Sequence, residues 1–212
     1  MSETLRILRQ EAPEIEISLS SKSSTELADA LTQGKVDVAL LRHETQTAGL
    51  AFKFLFKEPL LAILPTGHRL AARKAVRPQE LAREIFISPA RLAPVLRSVI
   101  TEYAAKLGIN LKQKYEAENV FGGMSLVAST GGVTLLPLYV KNLLIPSVVA
   151  RPLQGEPPTI DLMMGYNKSS TSLVLKRFLL RADELVKRSV QEQAYSRTLK
   201  RGDRKPSGSR AR

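Results

Sequence analysis

The chain has 212 residues, enough for one domain or two small ones with a good-sized core. It has no cysteine and only two histidines, His43 and His68, which excludes a disulfide framework, a thiolate nucleophile and any cysteine-based metal site. The formal charge of +12 invites a nucleic-acid reading, but half of it sits in 196–212, where seven basic residues face Asp203 alone. That stretch bears Ser, Gly and Pro and has almost nothing to bury, the composition of a disordered tail; a weak DNA contact by the tail is the lesser alternative. No apolar run reaches the ~20 residues that span a bilayer. The start lacks the apolar core of a secretory signal, so the expectation is a cytoplasmic protein without a membrane segment.

In chain order, residues 3–11 read as a short amphipathic helix using Leu5 and Leu8, ended by Pro13. Ile15, Ile17 and Leu19 alternate with Glu14, Glu16 and Ser18, the period of a half-buried strand. A Ser/Thr-rich turn leads to a helix marked by Leu27, Ala28 and Leu31 and stopped by Gly34. Residues 36–41 read as a buried strand, which completes a βαβ unit and predicts a parallel sheet. A polar loop over 42–49 follows, then two strands over 50–56 and 60–64, separated by Lys57-Glu58-Pro59. The 65–68 turn precedes one helical turn opened by Pro78.

The second half repeats the rhythm. A strand at 85–87 runs into Ser88-Pro89, and a helix begins near Pro94 with Val95, Leu96, Val99, Ile100, Tyr103 and Leu107 on one face. A strand over 112–118 is followed by a helix that Asn119 can cap, with Met124 and Val127 inward. Gly131-Gly132 turns the chain into a strand ending at Pro137; a short helix over 138–143 and a strand over 147–150 come next. Residues 151–158 have linker composition. A strand over 160–166 and a helix capped by Ser172, with Leu175, Phe178, Leu179, Ala182, Leu185 and Val186 inward, close the pattern, which is α/β.

Three helix N-termini meet strand ends, where α/β folds bind ligands: Ser23, Ser24 and Thr25; Ser88; and Asn119 to Phe121. A helix N-terminus offers unpaired N–H donors and about half a positive charge, suited to a carboxylate. Ser24 or Thr25 can equally serve as a cap alone. Arg42 and His43 can pair with a ligand carboxylate or be solvated loop residues. Phe121 can stack on an aromatic ligand or pack an interdomain wall. His68, in a turn, suits a structural hydrogen bond. Enzyme chemistry finds no support: Gly131-Gly132 lacks the following Lys-Ser/Thr of a phosphate loop, no Gly-x-Ser-x-Gly is present, and neither histidine has metal-ligand spacing. No catalytic residue, metal or cofactor is expected.

The stretches Pro13-Glu-Ile-Glu-Ile17, Leu31-Thr-Gln-Gly-Lys-Val-Asp-Val-Ala39, Leu60 through Pro65-Thr-Gly-His68-Arg-Leu70, and Leu126-Val-Ala-Ser-Thr-Gly-Gly-Val-Thr-Leu-Leu-Pro137 together resemble the effector-binding (substrate-binding) domain of the LysR-type transcriptional regulators. The register holds over about 3–190. Residues 36–43 and Phe86-Ile-Ser88 are similar to the branch that senses aromatic acids. The resemblance departs at Ser129-Thr130-Gly131-Gly132: the family usually has glycine near position 130 and an apolar residue at 131, so the flexible residue is shifted by one.

The resemblance implies a type II periplasmic-binding-protein-like fold, two Rossmann-like α/β subdomains joined by two crossover strands. One subdomain would be 1–87 plus 160–195 and the other 88–159, with hinges near 85–88 and 157–161 and the 196–212 tail outside. It implies a small-molecule carboxylate effector, an aromatic acid by the branch similarity, bound between subdomains by Ser23, Ser24, Thr25, Arg42, Ser88, Asn119 and Phe121, with Ser24 foremost. It implies a homodimer or tetramer, with the 24–33 and 94–107 helices as faces for a partner. DNA would be bound through a winged helix-turn-helix domain that normally precedes this region and is absent from the chain. A solute-binding protein of the same fold, serving transport, is the alternative.

Overall fold

The computed structural model describes residues 2–42 and 48–182. They divide into two units, one formed by residues near the two ends and one spanning Ser21–Ser169.

The terminal unit contains helix α1 (Ser2–Glu11) and a helical run over 173–182. Ser172 accepts the Leu175 N–H at 3.2 Å, the expected cap, and Leu175, Phe178 and Ala182 are buried as the helical spacing requires. Arg181 forks onto Glu11, its Nε donating to Oε2 at 2.8 Å; this hydrogen bond holds the Glu11 carboxyl below its ordinary pKa. Leu185, Val186 and the basic tail lie outside the described residues.

One expected strand does not form. Residues 15–19 join no ladder, and Leu19 is 75% exposed. Alternation specifies which side chains share a face, but a strand exists only where a partner edge takes its hydrogen bonds.

The 21–169 unit is built around one long strand. Helix α2 (Ser24–Thr32) leads to β1 (Ala39–Leu41), which is shorter than the predicted 36–41. Strand β2 (Leu50–Pro65) runs unbroken for 16 residues where the sequence suggests two strands. Then come α3 (Pro78–Leu81), β3 (Ile85–Pro89), α4 (Pro94–Lys106), β4 (Lys112–Ala117), α5 (Val120–Thr130), β5 (Thr134–Pro137), a 3-10 helix (Leu138–Asn142), β6 (Val148–Pro152) and β7 (Thr159–Asn167). Strand β6 takes in Arg151 and Pro152, which read as linker in the sequence.

Strand β2 changes partners along its length. Residues Leu50 to Pro59 pair with β7, whose other edge carries β1; residues from Leu60 onward lie between β5 and β6. Pro59 has no N–H to give to a ladder, and it stands where the ladder is handed over, with Leu60 donating to the Pro158 carbonyl at 2.8 Å. The proline therefore marks a change of sheet instead of a break. The change of partners, the crossover from one half of the ladder to the other, falls at 59–60 on β2 and at 158–159 before β7.

All the pairings of β2, β1 and β7 are antiparallel, against the parallel sheet predicted from the βαβ rhythm; β3 and β4 pair in parallel, as do the isolated bridges Val76–Leu153 and Phe86–Val133. The reason is β7: it arrives from the far end of the unit and inserts between β1 and β2, which local periodicity cannot reveal.

Beyond Pro59 both faces of β2 are covered. Leu60, Ala62 and Leu64 join a core with Ile100, Tyr103 and Ala104 of α4, while Leu61 and Ile63 join another with Met124 and Val127 of α5. Double coverage explains why 60–64 is continuously apolar. At the other end α2 packs Ala28 and Leu31 onto Ala39, Leu41 and Leu50.

The two glycines of the departing motif have separate jobs. Gly131 caps α5 at φ 73°, left-handed backbone that favours glycine. A Cβ at Gly132 would come within 3.0 Å of the Ile85 carbonyl oxygen and 3.2 Å of Ile87 Cδ1. Thr130 turns its hydroxyl inward, donating to the Leu126 carbonyl at 2.6 Å and accepting the Gly132 N–H at 3.2 Å.

Candidate functional site

A cavity of about 1000 Å³ opens where the two halves of the 21–169 unit meet. One wall comes from the start of α2, the end of β1 and the Phe56–Glu58 part of β2. The opposite wall comes from the approach to α4, the start of α5, the end of β5 and the 3-10 helix.

The α2 end is closed by its own sequence. Ser23 accepts the Glu26 N–H at 3.3 Å, and the Glu26 carboxylate takes the Ser23 N–H at 2.9 Å and its hydroxyl at 2.7 Å, a complete capping box. The Ser23 hydroxyl bond is the main reason the Glu26 carboxyl sits below its ordinary pKa. Ser24, one residue on, is tied to a different element: its Oγ accepts the backbone N–H of Arg42 at 3.1 Å.

Arg42 follows β1 and reaches across to Glu58 on β2, forming a short ion pair through Nη2. Both side chains are largely out of water, 15% and 7% exposed. The other terminal nitrogen, Nη1, is buried and has no hydrogen-bond partner among the described residues. A guanidinium donor in that position carries a desolvation cost that only an acceptor can offset. Tyr139, from the 3-10 helix on the opposite wall, is near enough to feel both charges: burial pushes its phenol up, with smaller opposed effects from Arg42, which lowers it, and Glu58, which raises it.

On the far side Asn119 caps α5, its Oδ1 accepting the Gly122 N–H at 2.8 Å. Arg97 fastens the start of α4 to this wall, donating to the Pro89 carbonyl at 3.2 Å and to Glu116 at 2.7 Å. Thr134 lines the cavity, but its buried hydroxyl is spent on the Ile87 carbonyl at 2.7 Å.

Of the seven site residues expected from the sequence, the cavity gathers Ser23, Ser24, Arg42, Asn119 and Phe121. It does not gather Thr25, which lies in the first turn of α2, or Ser88. The Ser88 side chain is buried in β3 and donates to the Tyr115 carbonyl at 3.4 Å, so it ties β3 to β4. His43 lies outside the described residues. His68 makes the structural bonds expected of it, Nδ1 accepting the Leu70 N–H at 3.2 Å and Nε2 meeting Glu84 at 3.2 Å.

Glu58 and Tyr139 escaped the sequence reading. The signal for Glu58 was a lone carboxylate among apolar strand residues, read there as part of a loop. Tyr139 carried none beyond being an aromatic just past Pro137. Among the described residues no cluster of three or more metal-ligating side chains occurs, and no helix is long and apolar enough to cross a membrane.

Comparison with known proteins bears on this geometry. The model of the LysR substrate binding domain matches residues 1–186. The Hca operon transcriptional activator HcaR of Escherichia coli (strain K12) is 30% identical over 184 residues, covering 84% of this chain and 61% of that protein. The chain thus spans less than two thirds of that relative's length. Among solved structures, the effector-binding domain of QuiR in complex with shikimate superposes with a TM-score of 0.77 at 18% identity, covering 88% of this chain and 90% of that one. The BenM effector-binding domain with its effector benzoate gives 0.76 at 16% identity, covering 100% and 92%. At such identities the superpositions establish the fold, which is periplasmic-binding-protein-like.

Proposed function

The chain belongs to the LysR substrate-binding domain family, and from that premise we propose that it is the ligand-sensing part of a DNA-binding transcriptional regulator, with a small carboxylate effector held in the cavity of the 21–169 unit. The observation that carries the reading is Arg42, which lines the cavity and whose buried Nη1 has no hydrogen-bond partner among the described residues. A carboxylate there would accept a charge-assisted hydrogen bond, roughly twice as strong as a neutral one. The Ser24 turn supports the same point, because it fixes the backbone from which Arg42 projects. Benzoate and shikimate, the ligands of the two structural neighbours, each carry one carboxylate on a six-membered ring, which is consistent with a site of this size and polarity.

In this reading Ser23 and Asn119 keep their helices' ends in place, Ser24 positions Arg42, Arg42 binds the anion, and Phe121 covers the ligand body. Thr25 and Ser88 have no part in it. A ligand spanning the cavity touches elements on both sides of the 59–60 and 158–159 crossovers, so it stabilises one relative setting of the two halves over others. That difference is what a regulator's DNA-binding and oligomerising parts would read.

A thermal-shift series with benzoate, shikimate and neutral analogues such as benzamide tests the proposal. Carboxylates should raise the melting temperature in a concentration-dependent way, by about 2.7 kcal/mol of stabilisation at one hundred times Kd, and neutral analogues should not. If no carboxylate stabilises the chain, the proposal fails.

A further inference from the structure

We infer, resting on the carboxylate reading above, that the cavity selects monocarboxylates with an apolar body and rejects dicarboxylates. Five charged residues line it among those described: Lys22, Glu26, Arg42, Glu58 and Glu118. Their arrangement provides for one anionic group and works against a second. Arg42 is the only cation of the five held largely out of water, and Glu58 already balances its charge through Nη2. Among the described residues, what remains without a partner is one donor, Nη1, with no surplus of positive charge behind it.

Lys22, Glu26 and Glu118 are all exposed, so water screens the three alike. Glu26 stands at the α2 end and Glu118 immediately before α5 on the opposite wall. A second ligand carboxylate would leave the Arg42 end for a lining that is mainly apolar, and would lose water against it.

Apolar groups fill the rest of the lining. Phe56, Leu92, Phe121, Tyr139 and Leu143 are each more than a third exposed, and all five line this cavity. Large apolar side chains gathered at one place on a surface mark a binding site for apolar matter. With Arg42 at one end and these side chains around the remainder, the ligand complementary to the cavity is amphipathic: one carboxylate and a hydrocarbon body.

Calorimetric titration of the intact chain with 4-methylbenzoate and with terephthalate tests this, because the pair share a shape and differ by a methyl against a second carboxylate. 4-Methylbenzoate should bind at least about tenfold more tightly than terephthalate. Glu118→Gln, at an exposed side chain, should leave the gap unchanged within about twofold, because the selectivity rests on the apolar lining. Terephthalate binding equal to or tighter than 4-methylbenzoate would overturn the inference and leave the carboxylate reading standing. A gap closed by Glu118→Gln would overturn the apolar origin assigned to the selectivity. Failure of both acids to bind would sink the carboxylate reading and the inference together.

Discussion

The hydroxyl of Ser24 accepts the backbone N–H of Arg42 at 3.1 Å, so the residue that opens α2 also fixes the residue that ends β1. Eighteen positions apart, the two act as one element of the cavity wall. Removing the hydroxyl in Ser24→Ala leaves a part-buried N–H without its acceptor, at a cost of about 1–3 kcal/mol. Urea denaturation should show that loss, with an unchanged m-value because the surface exposed on unfolding is the same.

The Arg42–Glu58 pair predicts a sharper contrast. Arg42→Met alone strands the buried Glu58 carboxylate and should destabilise the chain by about 3–5 kcal/mol. Adding Glu58→Leu should recover most of that, because apolar residues of similar volume replace a buried ion pair with little net change. The double variant should melt near the wild type and yet bind no carboxylate, which separates the pair's structural role from its role in binding.

Acid should loosen the start of α2. The Glu26 carboxyl is held below its ordinary value of 4.5 by the Ser23 hydroxyl and N–H. A depressed carboxyl contributes stability that is full above the ordinary pKa and is lost as pH falls through the depressed one. Glu26→Gln keeps a capping side chain but cannot titrate. The melting temperature of the wild type should therefore fall faster than that of the variant as pH drops below 4.5, the Glu11–Arg181 pair contributing equally to both.

Gly131 and Gly132 should respond differently to alanine. At Gly131 nothing lies within 4 Å of an added Cβ, and only the positive φ opposes it, a cost of about 1–2 kcal/mol. At Gly132 the added carbon meets the Ile85 carbonyl oxygen at 3.0 Å, and that carbonyl already takes the Val133 N–H at 2.8 Å. It cannot move without breaking the bridge, so Gly132→Ala should cost about 1–3 kcal/mol through overpacking. Differential scanning calorimetry of the two variants, with and without benzoate, would measure both costs.

These residues also show what the sequence could and could not reveal. Helix ends were legible because their chemistry is local: Asn119 and Ser172 each cap within three residues of themselves, and the α2 cap falls on Ser23, one residue before the expected Ser24 or Thr25. Apolar faces of α4 and α5 were legible for the same reason. The strand over 15–19 and the parallel pairing expected around β1 were misread because a ladder depends on a partner remote in the chain, and β7 lies more than a hundred residues from β1. Pro59 misled as a local breaker, since only the exchange of β7 for β5 and β6 explains its place. Ser88 had the right residue type at a strand end, but its side chain is buried and donates to the Tyr115 carbonyl. Arg42 could be suspected as a loop cation; its buried, half-satisfied guanidinium required Glu58, which sequence spacing does not bring near.

The most direct measurement is a crystal structure of the chain grown with 4-methylbenzoate. A carboxylate oxygen should lie within hydrogen-bonding distance of Arg42 Nη1, with the ring against Phe121 and the Arg42–Glu58 pair intact. A ligand bound elsewhere, or one seated in the cavity with its carboxylate turned away from Arg42, would contradict the assignment of Arg42 as the anion-binding residue.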